Sequence, residues 1–274
     1  MRAFNHVCPL AWAALMVGLM TAMGDATATA SPGIFEVDAL FPRNETYTPQ
    51  ALMPIVFALQ NPALASPLVA SMSWELWEGN NYTSPGSVTD GGFEFATLDF
   101  SSNDPFLVTR IVNTLAYPDG FWTLSWSLEI YNCSQSEHST QSITVSNATV
   151  FTISRSGRAP DLVAATSADM CGTADGYAFN VTSFGDTCGV LGSSPTTNSC
   201  AATIDPAAAS SIYAAATASA CSPLYRPQNP NITCPTSTSK SSASSADAAG
   251  RSRMAAASTL FTLLATLTAL IHLG

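Results

Sequence analysis

Cysteine is the most reactive side-chain type that recurs along this chain: of seven, Cys8 lies in the N-terminal apolar run, and six follow it, Cys133, Cys171, Cys188, Cys200, Cys221 and Cys234. A thiolate attacks carbonyls, holds metals or pairs with another sulfur. No two of them stand at C-x2-C spacing, and only His6, His138 and His272 could complete a metal set. An even set then reads as three disulfides with the pairing open, and no metal or other cofactor is expected. A Ser-His-Asp site needs a packed histidine. His138 sits in the polar run Ser136-Glu137-His138-Ser139-Thr140 and reads as a solvated loop residue, and no G-x-S-x-G elbow occurs. No catalytic residue is therefore assigned. Glycoside hydrolysis asks only for two carboxylates, for which Glu75, Glu78, Glu94, Asp99 and Glu129 are candidates. Glu75 and Glu129 fall on wet strand faces, as possible cross-strand neighbours that serve solubility. Sugar rings also stack on exposed aromatics. Trp77, out of phase with Trp74 and beside Glu75 and Glu78, is the candidate glycan contact, with Tyr82, Phe121 and Tyr131 also on outward positions.

These residues must be positioned by a chain of 274 residues with a net charge of -10, of which only 10% are charged. The acidic balance excludes a phosphate-binding nucleic-acid protein. At the N-terminus, Arg2 and His6 precede an apolar run from Cys8 to Met23, followed by Ala26-Thr27-Ala28-Thr29-Ala30. That order predicts a cleaved secretory signal over residues 1–30. At the other end, Leu260 to Leu273 is apolar up to the terminal Gly274, behind Arg251 and Arg253 and a run of small residues. Small site, spacer and hydrophobic tail predict a glycosylphosphatidylinositol (GPI) signal over 248–274, with Asp247 or Ser245 as attachment residue. Six sequons, at Asn44, Asn81, Asn132, Asn147, Asn180 and Asn231, fit a secreted glycoprotein.

Between the two signals, residues 31–158 alternate with period two. Trp122, Leu124, Trp126, Leu128 and Ile130 share one face; Thr123, Ser125, Ser127 and Glu129 share the other. Phe35, Val37, Ala39 and Phe41 read inward, with Glu36 and Asp38 toward water. Ile55, Phe57 and Leu59 form an inward set, as do Met72, Trp74 and Leu76. Phe93 and Phe95 begin a strand whose parity shifts before Leu98 and Phe100, which suggests a bulge. Turn signals such as Asn61-Pro62, Asp90-Gly91-Gly92 and Pro118-Asp119-Gly120 separate the runs. Seven or eight short strands predict a mainly β fold, an antiparallel immunoglobulin-like β-sandwich, with a closed barrel as alternative. Asn147 falls on an inward position, so either a turn interrupts at Ser146-Asn147-Ala148 or that sequon is unused.

Residues 159–234 hold five of the six cysteines and read as a small, Ala-rich, disulfide-stapled extension. Asp205-Pro206 opens a helix expected over 205–220. Residues 235–247, within PTSTSKSSASSADAAG, read as a Ser/Thr-rich stalk.

The run Phe41-Pro42-Arg43-Asn44-Glu45-Thr46-Tyr47, with Pro54 to Pro62, Pro160 to Thr166 and Ala207 to Cys221, resembles an uncharacterised family of filamentous-fungal secreted proteins, a domain of unknown function. The resemblance covers most of the expected mature chain. It implies a fungal cell-surface location and carries no catalytic residue. The expectation is a GPI-anchored surface glycoprotein with a structural or interaction role at the wall or plasma membrane. A carbohydrate-binding module is the alternative, and a glycan-active hydrolase comes third. Expected partners are cell-wall polysaccharide or other surface proteins, and the membrane through the lipid anchor.

Overall fold

The computed structural model describes residues 30–80, 87–98, 100, 104–133, 139–185 and 188–235. The expected signal peptide, stalk and GPI tail lie outside them, as do Asn81, Tyr82, Asp99, His138, Ser245 and Asp247. Ten strands form: β1 Gly33–Phe41, β2 Thr46–Tyr47, β3 Met53–Gln60, β4 Ser71–Glu78, β5 Ser87–Glu94, β6 Phe106–Val112, β7 Gly120–Cys133, β8 Thr140–Ile153, β9 Asp175–Phe184 and β10 Gly189–Leu191. The fold is mainly β, in two five-stranded sheets. The first runs β10-β9-β1-β3-β6 and is antiparallel throughout; the second runs β2-β8-β7-β4-β5. The second is mixed, because β2 joins β8 in a two-residue parallel pair. The chain changes sheets between β1 and β2, at the cis Phe41–Pro42 bond.

The inner faces pack against each other through large rings. Phe57 on β3 lies 5.7 Å from Trp126 on β7 and 6.5 Å from Phe93 on β5, in edge-to-face geometry. Every inward residue of the β7 run, from Trp122 to Ile130, is buried, in keeping with its alternation. Room for these rings is made by small residues opposite them. Gly91 pairs with Trp74, and a Cβ there would lie 2.9 Å from the indole nitrogen. Asp90-Gly91-Gly92 is therefore not a turn, as its composition suggests, but the middle of β5. The parity shift after Phe93 also has another cause than a bulge: the strand ends at Glu94, and Phe95–Thr97 form a 3-10 turn.

Residues 159–234 are part of the same body. Residues up to Cys234 form one compact unit, and β9 and β10 complete the first sheet beside β1. Two helices come from this region: α1, Leu162–Ala165, and α2, Pro206–Ala220. The Asp205 carboxylate caps α2 by accepting from the Ala208 N–H at 2.7 Å. Three disulfides form. Cys133–Cys188 ties the end of β7 to the segment before β10, so it joins the two sheets. Cys171–Cys200 and Cys221–Cys234 lie within the extension. Among the described residues, no helix is long and apolar enough to cross a membrane.

The extension covers the outer face of the first sheet. Val56 and Ala58, which point away from the interior, are fully buried and share one apolar cluster with Ala202 and Ile204. Glu36 and Asp38 lie on this same outer face. The sequence reading sends them to water; they are 2% and 0% exposed.

Candidate functional site

The outer face of the second sheet stays open, and its register decides which side chains meet there. β4 presents Ser71, Ser73, Glu75 and Trp77; β7 presents Phe121, Ser125, Ser127 and Glu129, while Thr123 on the same side is buried and donates its hydroxyl to the Gly79 carbonyl at 2.7 Å. Ser73 and Ser127 share a 2.8 Å hydroxyl hydrogen bond. Ser142, Thr144 and Ser146 extend the hydroxyl-bearing surface onto β8. At one end the face changes character. Trp77 pairs with Thr123, and Phe121 lies two positions further on the same face. Phe121 is 56% exposed, unusual for so large an apolar ring. Trp77 is half-buried, and its indole N–H donates to Glu75 Oε2 at 2.9 Å, which fixes the ring orientation.

The register also overturns one carboxylate pairing and supplies another. Glu75 stands opposite Ser125, and Glu129 opposite Ser71. Four residues of strand separate the two acids, about 13 Å, so they are not neighbours. Glu129 Oε1 instead accepts from the Ser142 hydroxyl at 2.6 Å. The true cross-strand neighbour of Glu75 is Asp90. Two acids directly opposite each other on a strand pair repel, at a cost of some tenths of a kcal/mol or about 1. Sequence reasoning misses Asp90 because the two glycines after it mimic a turn. The signal that identifies it is the spacing of Gly91 from Trp74.

Around the corner from Phe121, the β6–β7 connection forms a concave site of about 510 Å³ that includes Leu115, Tyr117, Asp119 and Arg155. Tyr117 stacks on Trp122 with ring centroids 4.2 Å apart. Asp119 Oδ2 accepts from the Arg155 N–H at 3.3 Å, and the Arg155 guanidinium makes no ion pair among the described residues. Trp77, Phe121, Glu75 and Asp90 combine flat apolar rings with acceptors on one sheet face. Such a surface can stack a ring and bond its hydroxyl groups. A second groove of similar size separates α2 from β6. Its walls mix small and apolar residues with polar ones, among them Asn113, Asn229 and Arg110, whose guanidinium stacks on Phe93 at 3.9 Å.

The other acids of interest are closed off. Glu36 Oε1 accepts from the Asn198 N–H at 2.6 Å, and Asp38 Oδ1 from the Ser199 hydroxyl at 2.6 Å. Asp38 Oδ2 accepts from Gln60 Nε2 at 2.8 Å. Burial, and then the Asp38 charge, push the Glu36 carboxyl up to about 7, although the Asn198 N–H pulls the other way. No substrate reaches this pair while the extension covers it.

Of the sequon residues, Asn44 and Asn231 are exposed, and Asn132, Asn147 and Asn180 are half-buried. No turn interrupts β8 at Asn147; its Oδ1 accepts from the Ala148 N–H, on the inward side of a continuous strand. Asn132 Oδ1 accepts from the Leu191 N–H at 2.9 Å. Among the described residues, no group of three or more His, Cys, Asp or Glu side chains is placed to hold a metal ion.

A family model described as a domain of unknown function (DUF7136) matches residues 30–234. No curated protein and no solved structure matches the chain.

Proposed function

We propose, for a chain that belongs to the DUF7136 family, that it is a surface-displayed binding module of a filamentous fungus, with a glycan as the ligand of its open sheet. The observation that carries this reading is the presence of exposed Phe121 and oriented Trp77 at one end of the same hydroxyl-bearing face. The rings offer apolar faces to the C–H side of a pyranose. Glu75 and Asp90 accept from its hydroxyls, and opposed acids of this kind are better explained by a ligand than by stability. The first sheet, covered on both faces, serves as the rigid support. We read the head as immunoglobulin-like: the parallel β2–β8 edge and the β8-β7-β4-β5 order support that comparison, with β9 and β10 added beyond β1. We place it outside the cell, on a GPI anchor at Asp247 or Ser245, on the grammar of the two termini. Release from intact cells by a phosphatidylinositol phospholipase tests the anchor, and retention with the inositol deacylated counts against it.

Binding is tested by incubating the purified protein with insoluble chitin and with β-1,3-glucan, while soluble sugar is measured in the same tubes. Depletion of protein without sugar release, weakened at least about tenfold in Trp77→Ala and Phe121→Ala, is the expected result. Equal depletion by the variants sinks the assignment of the face. One observation favours a second reading, a glycan-active hydrolase: Glu75 and Asp90, both exposed, stand directly opposite each other on β4 and β5, and glycoside hydrolysis works through two carboxyl groups. Sugar release that disappears in Glu75→Gln or Asp90→Asn would establish it. Neither effect would leave a protein partner at the surface as the role.

A further inference from the structure

We infer that Glu36 and Asp38 form a proton-operated latch, which holds the 198–200 segment against the first sheet in acid and loosens it as the medium turns alkaline. The inference begins from position. Both carboxyl groups leave β1 on its outer side, two residues apart, and both are enclosed. Glu36 stands opposite Gln60 on β3 and Ala178 on β9; Asp38 stands opposite Ala58 and Gly176. Gly176 is required there, since a Cβ would lie 2.3 Å from Asp38 Oδ1. The lid is the loop at Asn198 and Ser199, clipped next door by Cys171–Cys200. Its two bonds to the pair, from the Asn198 N–H and the Ser199 hydroxyl, link it to β1, and Gln60 Nε2 also reaches the Asn198 carbonyl at 3.0 Å.

The charges around the pair make protonation its hinge. Glu36 is acted on by Asp38 and by the Asn198 N–H. Arg43 is the cation whose field includes Asp38, and Asp175 and Glu45 share that field. The Arg43 guanidinium is spent on Ala39 O, Met170 O and the Thr173 hydroxyl. Gln60, Asn198, Ser199 and Gly176 contribute no charge. Two enclosed carboxyl groups within hydrogen-bonding reach of each other are stable when one proton is held between them. Removal of that proton leaves two enclosed like charges. The sign follows: the raised Glu36 affinity means the closed form binds the proton more tightly than the open one. Closure is therefore complete at acid pH and weakens as pH rises from about 4.5 through about 7.

The test is hydrogen exchange on the full-length protein at pH 5.5 and 8.5, corrected for the intrinsic rate, with Asn198 as reporter and the β7–β8 amides as internal control. We expect Asn198 protection to fall by about 10- to 30-fold between the two conditions while β7–β8 stays constant. In Glu36→Gln, which keeps the hydrogen-bonding shape without the charge, protection at pH 8.5 stays at the acid level. A wild-type Asn198 protection that ignores pH overturns the latch. So does an equal fall in β7–β8, or an unchanged fall in Glu36→Gln. If that variant fails to fold, the wild-type contrast between Asn198 and β7–β8 still decides. None of these readings depends on glycan binding.

Discussion

The two sheets are built from similar strands, yet they obey different rules. In the second sheet, β4 alternates from Met72 to Leu76: Met72, Trp74 and Leu76 are buried, while Ser73 and Glu75 between them are exposed. In the first sheet, β3 is buried from Met53 to Leu59 without a break, and β1 from Phe35 to Phe41. The difference is the covering layer. Water touches one face of the second sheet, so period two is the whole constraint. The extension lies on the first, so both faces must satisfy an interior. Even an acid is held there, provided that its oxygens find donors. Under the proposed function the sheets do different work, one as support and one as contact surface.

The largest effect should come from charging the covered face. Val56→Asp places a carboxylate where no donor waits and should cost more than about 4 kcal/mol or prevent folding. The matched change Ser146→Asp, on the open face, should stay within about 0.5 kcal/mol in urea unfolding. Equal costs would mean that the extension does not pack as described.

An intermediate effect should follow from removing one donor beneath the cover. Ser199→Ala leaves Asp38 Oδ1 without its 2.6 Å partner and should destabilise by about 2 kcal/mol. Ser73→Ala breaks a hydroxyl bond of similar length in the open and should cost less than about 0.5 kcal/mol, by the same denaturant assay. A smaller effect, about 1–2 kcal/mol, is expected for Gly91→Ala, where a methyl group must displace the Trp74 indole. Gly172→Ala meets nothing within 4 Å and should be nearly silent. If Gly91→Ala were silent too, the packing of Trp74 over β5 would be in question.

How much of this was legible follows the same division. The β7 face from Trp122 to Ile130 and the inward set of β4 could be read from period two, because water enforces it. The helix after Asp205 carried its own cap and proline. Glu36 and Asp38 misled because alternation reports polarity, and a polar residue can be enclosed when a distant segment brings donors to it. Those donors, Asn198 and Ser199, have no local signature linking them to β1. Asp90 was hidden by two glycines whose composition means a turn in isolation but a cradle for an indole in context. Trp77 was legible as an outward aromatic. Its companion Phe121 was legible only as a parity, since the pairing of β4 with β7 depends on register, which no single strand encodes.

The order of pairing in the first sheet also sets a timetable. β1 is flanked by β3, which follows it closely, and by β9, which leaves the ribosome long afterwards. Until then one edge of β1 and the apolar outer face of β3 have no cover. Such distant closures are entropically slow and leave sticky intermediates. The second sheet can assemble β4 through β8 while synthesis continues, since those neighbours are near in the chain. Nascent molecules should therefore present a finished contact surface on an unfinished support. The covered sheet is the half that most needs shelter during birth.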